Sequence, residues 1–156
     1  MRSHGSSYLR LAAFSLFALS TQLGNALVSP TRPKITGISY VRFKSSNFDK
    51  SRAFYERTLG MTYRPTGCNG LSNPCFVINP LQHIELDQAK AGEHGSFLSE
   101  IGFITTDVNQ MHEYLLSRGV QSSSVSRRAN GALFLQLDDP EHNHLVFVQI
   151  SQDMDF

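Results

Sequence analysis

Residues 35–150 predict an α+β domain made of two tandem βαβββ modules whose curled sheets enclose a cleft. Three observations carry that prediction: an internal repeat at a shift of 60 positions, one capped helix in each half, and short alternating strands punctuated by Gly, Asn and Pro.

ITGISYVRFK, from Ile35, alternates and is rich in β-formers, so it reads as a strand. SSNFDKSRAFYERTLG reads as a helix. Asn47 or a neighbouring Ser caps it, Phe48, Tyr55 and Leu59 share one face, and Gly60 stops it. MTYR, CFVIN and HIELD follow as three short strands. Then the pattern restarts. Residues 38–43 fall on 98–103, Asn47-Phe48 on Asp107-Val108, and Phe54 on Tyr114. Asp107 with Gln110 forms a capping box, and Gly119 stops the second helix. Strands near SSVSR, ALFLQLD and HLVFVQI complete the set, with His83-Ile84-Glu85-Leu86 recurring at a shift of 61 as His144-Leu145-Val146-Phe147. Modules spanning 35–87 and 97–150 are too few for a solenoid, which needs at least ~3 repeats. They suit a pseudo-twofold single domain.

Residues 1–26 stand apart. Arg2 and Arg10, the apolar run LRLAAFSLFALS, and small residues Gly24 and Ala26 at the exit form a signal-peptide pattern, followed by a linker over 27–34. The apolar run is well short of the ~20 residues of a spanning helix, so no stable membrane insertion follows leader cleavage. An exported protein, periplasmic or secreted, is expected. Beyond the leader, twelve basic residues face thirteen acidic ones, which gives a polyanion such as nucleic acid nothing to bind. The composition (40% hydrophobic, 17% charged) excludes a disordered chain and a polytopic membrane protein.

Cys68 and Cys75 bracket the turn-rich CNGLSNPC. In an oxidising compartment they can close a small disulfide loop, with a chain-entropy gain of roughly 2–3 kcal/mol. Two free thiols is the other reading. Two cysteines without neighbouring Cys or His cannot fill a zinc tetrahedron.

ISYVRFKSSNFDKSRAFYERTLGM, HIELD, EIGFITTDVNQMHEYLLSRGV and LDDPEHNHLVFVQI together resemble the vicinal oxygen chelate (VOC) superfamily of glyoxalase I, extradiol dioxygenases and bleomycin-resistance proteins. The resemblance spans 35–150 and implies the glyoxalase-like fold, though one fold hosts many chemistries. It also implies one metal ligand in the first and last strand of each module. Carried over by position, these fall on Tyr40, Glu85, Glu100 and Val146. Only Glu85 matches outright. Glu100 can coordinate, Val146 cannot, and a phenol binds hard divalent ions poorly unless ionised. Neither expected His is present, which disfavours a 2-His-1-carboxylate iron site.

Strand parity adds neighbours. Residues two apart share a face, so Arg42 joins Tyr40, His83 joins Glu85, and His144 joins Val146. The expected ligand-binding set is therefore Tyr40, Arg42, His83, Glu85, Glu100 and His144. Glu85 and Glu100 are the catalytic candidates, and Glu85, Glu100 and His83 the candidates for a doubtful metal. Arg42 suits a carboxylate or phosphate, or else forms an internal ion pair with Glu85 or Glu100. No phosphate loop, nucleophile elbow, HExxH or EF-hand loop occurs. SSSVSRR reads as a solvated polar turn, and DDPEHNH as a tight turn whose His142 and His144 invite adventitious metal.

Three readings stand. The first is a small-molecule-binding domain with a degenerate metal site and no cofactor. The second is an enzyme with one divalent metal and a rearranged ligand set, acting as lyase, isomerase or dioxygenase. The third is an envelope interaction domain with a vestigial cleft. The implied partner is a small polar organic molecule, and members of the superfamily also form homodimers.

Overall fold

The computed structural model describes residues 29–90 and 97–150, so the predicted leader lies outside the described residues. One mixed sheet organises the chain. In the first half, β1 (Ile35–Ser45) leads into α1 (Phe48–Ala53), then β2 (Thr62–Arg64), β3 (Cys75–Asn79) and β4 (Gln82–Gln88). The second half repeats this with β5 (Phe97–Thr105), α2 (Val108–Ser117), β6 (Ser126–Arg127), β7 (Leu133–Asp138) and β8 (His144–Gln149). The strand order β2-β3-β4-β1-β5-β8-β7-β6 reads the same for both modules outward from the centre. β1 runs parallel to β4 and β5 parallel to β8, while β1 and β5 meet antiparallel. Val41 faces Ile101 at that seam, with Tyr40 opposite Gly102 and Arg42 opposite Glu100, so the pseudo-twofold axis passes through the Val41–Ile101 pair.

The two helices pack unequally. Asp107 accepts from the Gln110 amide at 2.9 Å to start α2, and Val108, Met111 and Leu115 bury against Leu135 and Phe147. Burial of each such side chain stabilises by roughly 1.5–3 kcal/mol. The expected capping box is only half made, because the Gln110 side chain donates to Thr31 rather than back to its cap. α1 starts on Asn47, which accepts from Lys50 at 3.0 Å, but it buries no residue fully. It widens into a π-helical turn over Phe54–Thr58, closed by Leu59 N–H to the Phe54 carbonyl at 3.0 Å. That extra residue per turn rotates the expected apolar face. Tyr55 stays on the sheet, its ring 5.0 Å from Phe76, whereas Leu59 is 53% exposed and the predicted Phe48–Tyr55–Leu59 stripe is broken. Gly60 and Gly119 end the two helices with positive φ, as read from the sequence.

On the face away from the helices, Tyr40, Ala132, Val146 and Val148 form a second buried cluster. Cys68 and Cys75 are disulfide-bonded, and their loop carries Leu71 onto this cluster. The loop also approaches the second module at Gly70, where a side chain would collide with Asn130.

Gly102 is the tightest point of the seam, because a Cβ there would lie 2.2 Å from Tyr40 Cε1. Gly102→Ala is expected to cost about 1–3 kcal/mol by overpacking. Gly37→Ala is the control on the same sheet: its Cβ would meet nothing nearer than Ile104 Cδ1 at 4.0 Å, and it should be neutral or stabilising by up to about 1 kcal/mol. Urea unfolding of the two variants measures this, and equal losses would remove the steric argument.

Candidate functional site

Register brings the site together. Residues paired across neighbouring strands point to the same face, so rows of side chains run across the sheet. One row on the helix-free face is Cys75, Glu85, Arg42, Glu100, His144 and Asp138. The next is Val77, His83, Tyr40, Gly102, Val146 and Gln136. Five of the six expected binding residues therefore converge where β4, β1 and β5 lie side by side.

Arg42 is the centre of the cluster. Its Nε donates to Glu85 Oε2 at 2.7 Å, and its Nη1 lies 3.0 Å from Glu100 Oε1. His83 Nε2 contacts Glu85 Oε1 at 2.9 Å, so each Glu85 oxygen has a partner. The Tyr40 hydroxyl donates to Glu100 Oε1 at 2.5 Å, and its ring stacks on His83 with centroids 5.4 Å apart. Burial works against charge on Arg42, yet Glu85 and then Glu100 raise its pKa above the ordinary arginine value. Burial, reinforced by the hydrogen bond to Glu100, raises the Tyr40 phenol far above the usual tyrosine range. Tyr40 is thus a neutral hydrogen-bond donor, and Arg42 a fixed cation.

The structure separates supporting residues from accessible ones. Glu85 and His83 are buried beneath Arg42. Glu100 instead borders three neighbouring cavities of about 360, 490 and 550 Å³. Tyr40 and Arg42 line the first of these together with Phe134, Gln136, Ser72 and Arg128. His144 is not drawn into the cluster. It lies beyond Glu100 at the open rim, its Nδ1 2.5 Å from Asp138, and it borders the two larger cavities. The DDPEHNH segment is the tight turn expected, with Asp139 accepting from the Glu141 and Asn143 backbone and the Asn143 side chain. The Asn143 side chain and these backbone N–H groups lower the Asp139 pKa below its ordinary value.

Arg128 was hidden in SSSVSRR. That segment is not a solvated turn throughout: Arg127 is exposed, but Arg128 is buried, packed on the rings of Tyr40 and Phe134 at 5.5 and 5.2 Å. The available signal is parity, since Ser126 pairs with Phe134 on the cleft face and Arg128 lies two residues on.

Solved structures share this architecture. A methylmalonyl-CoA epimerase from Mycobacterium tuberculosis superposes with a TM-score of 0.59 at 16% identity, over 75% of this chain and 89% of that one. The fold is that of the vicinal oxygen chelate superfamily. A Streptomyces coelicolor methylmalonyl-CoA epimerase variant in complex with 2-nitronate-propionyl-CoA gives 0.60 at 18%, over 76% and 99% of the two chains. A hypothetical protein from Bacillus halodurans C-125 gives 0.56 at 15%, over 76% and 97%. These likenesses concern the VOC fold alone. No family model and no curated protein sequence matches the chain.

The four positions that correspond to VOC metal ligands do not fit a divalent ion. Val146 has no donor atom, and both Glu85 oxygens are taken by Arg42 and His83. Glu100 Oε1 serves Tyr40 and Arg42 together. A cation placed between the carboxylates would face the Arg42 guanidinium already there.

The Tyr40 shift has a testable sign. Its folded pKa lies above the unfolded value of about 10, so its contribution is complete below that pH and is lost as pH rises toward the folded pKa. Urea midpoints followed from about pH 9 to pH 12 should fall more steeply for the wild type than for Tyr40→Phe. Parallel curves would contradict the buried, protonated phenol.

Proposed function

We propose that this VOC-fold domain binds a small polar organic molecule directly in its cleft, with Arg42 supplying the positive charge that a metal ion supplies in metal-dependent members. The observation that carries this reading is the Glu85–Arg42–Glu100 row, in which one guanidinium pairs with both candidate metal-ligating carboxylates. Glu85 and His83 hold Arg42 in place; Tyr40, Arg42 and Glu100 present a phenol, a guanidinium and a carboxylate to the ligand. The Cys68–Cys75 disulfide supports the export expected from the leader, since such bonds persist in oxidising compartments.

A second reading is favoured by one feature. Glu100 is an accessible carboxylate beside a neutral phenol, a pairing able to move a proton on a bound substrate. The epimerases of the same fold make isomerisation the chemistry to look for.

Thermal unfolding in EDTA against a panel of small polar metabolites, and separately against Ni, Zn, Mn and Fe(II), tests the first reading. At least one metabolite should stabilise the EDTA-treated protein, by about 2.7 kcal/mol at a hundred times its Kd, whereas the metals should stabilise it little. Retention of about one divalent ion per chain through dialysis, lost in Glu85→Gln, would replace it with the metal-dependent reading.

A further inference from the structure

Arg128 is a buried cation with no acidic partner within salt-bridge distance among the described residues. The guanidinium has five N–H donors. Of its nitrogens only Nη2 has a partner, the Tyr40 hydroxyl at 3.5 Å; Nε and Nη1 are buried with none among the described residues. The residue is 8% exposed, and buried donors of this kind ordinarily have a partner. Arg42, in contrast, is flanked by two carboxylates. Buried charges are ordinarily paired, and a buried unpaired guanidinium on a cavity wall has the form of a ligand seat.

The cavity it borders has the size and polarity of a small-molecule pocket. It holds about 360 Å³, with Arg128 and Phe134 on one side and Glu100 and Gln136 also in its wall. The Tyr40 hydroxyl links the two charged groups, donating to Glu100 and accepting from Arg128. Arg42 and Arg127 border the cavity as well, so three guanidiniums and one carboxylate line it.

Building on the direct-binding reading above, we infer that Arg128 is the carboxylate-binding residue of the cleft, and that the ligand is a small carboxylic acid bearing a hydroxyl. A carboxylate matches the planar donor edge of a guanidinium. Glu100, in the same wall, is placed to accept a hydrogen bond from a hydroxyl on the ligand. The guanidinium carbon lies over the rings of Tyr40 and Phe134, 5.5 and 5.2 Å from their centroids, which fixes the cation in the wall.

The test uses calorimetry on the purified, EDTA-treated chain, with lactate, glycerate and 3-hydroxybutyrate as probes. Lactamide, which lacks the carboxylate, is the comparison. Arginine Nε–H resonances are followed in parallel. The hydroxy acids should bind saturably and more tightly than lactamide, and should shift the Arg128 Nε–H signal. Arg128→Gln should weaken that binding by about tenfold or more, while Arg52→Gln, at an exposed i,i+4 pair with Glu56, leaves it unchanged. Should Arg128→Gln not fold, Arg128→Lys keeps the charge but loses the forked donors, and it should still weaken binding. Wild-type affinity in Arg128→Gln or Arg128→Lys, or an unmoved Arg128 Nε–H signal at saturation, overturns the inference. Lactamide binding as well as lactate overturns it too, but leaves direct binding in the cleft standing. No binding by any compound sinks both.

Discussion

The guanidinium of Arg42 between Glu85 and Glu100 is the constraint around which the cleft is built. It depends on three strands in one register: β4 supplies Glu85, β1 supplies Arg42 and β5 supplies Glu100, side by side on one face. The row alternates in charge, and each member is held by its neighbours. A slip of one residue in β1 would send Arg42 and Tyr40 to the helix face and leave Glu85 buried without its cation. Losing one partner of such a buried pair is far costlier than the pair's net worth, about 3–5 kcal/mol, so the register and the ion row enforce one another.

The same row explains how a pseudo-symmetric fold became chemically asymmetric. About the Val41–Ile101 axis, Tyr40 corresponds to Glu100 and Arg42 to Gly102. The first module thus contributes the two large side chains and the second the acid and the space. Tyr40 can lie across the seam because Gly102 has no side chain, and its hydroxyl then reaches Glu100. A metal site needs donors from both modules aimed at one point. Here the two modules aim at each other, and the bond that would have gone to a metal goes to Arg42.

The sequence made legible what depends on periodicity. The helix stops at Gly60 and Gly119 and the common face of Tyr40, Arg42, His83, Glu85 and Glu100 follow from alternation and repeat. What it hid depends on contacts between segments distant in the chain. Arg128 looks like any charge in a polar turn until Tyr40 and Phe134 close on it. Leu59 fits a helical stripe, but the π-helical turn moves it to solvent. Gln110 fits a capping box, but Thr31 takes its side chain. Glu85, the one position that matches the superfamily outright, turns out to support Arg42 from below instead of lining the cavity beside it.

A double-mutant cycle on Arg42→Met and Glu85→Gln, read by urea unfolding at neutral pH, tests the central row most directly. Each single change leaves a charged or polar group buried beside a lost partner, whereas the double change removes both. The account predicts that the double variant is less destabilised than the two singles combined, with a coupling of about 1.5–3 kcal/mol. Additivity within about 0.5 kcal/mol would contradict it. The guanidinium would then be a bystander in the cleft, and Glu85 and Glu100 would again be free to serve another cation.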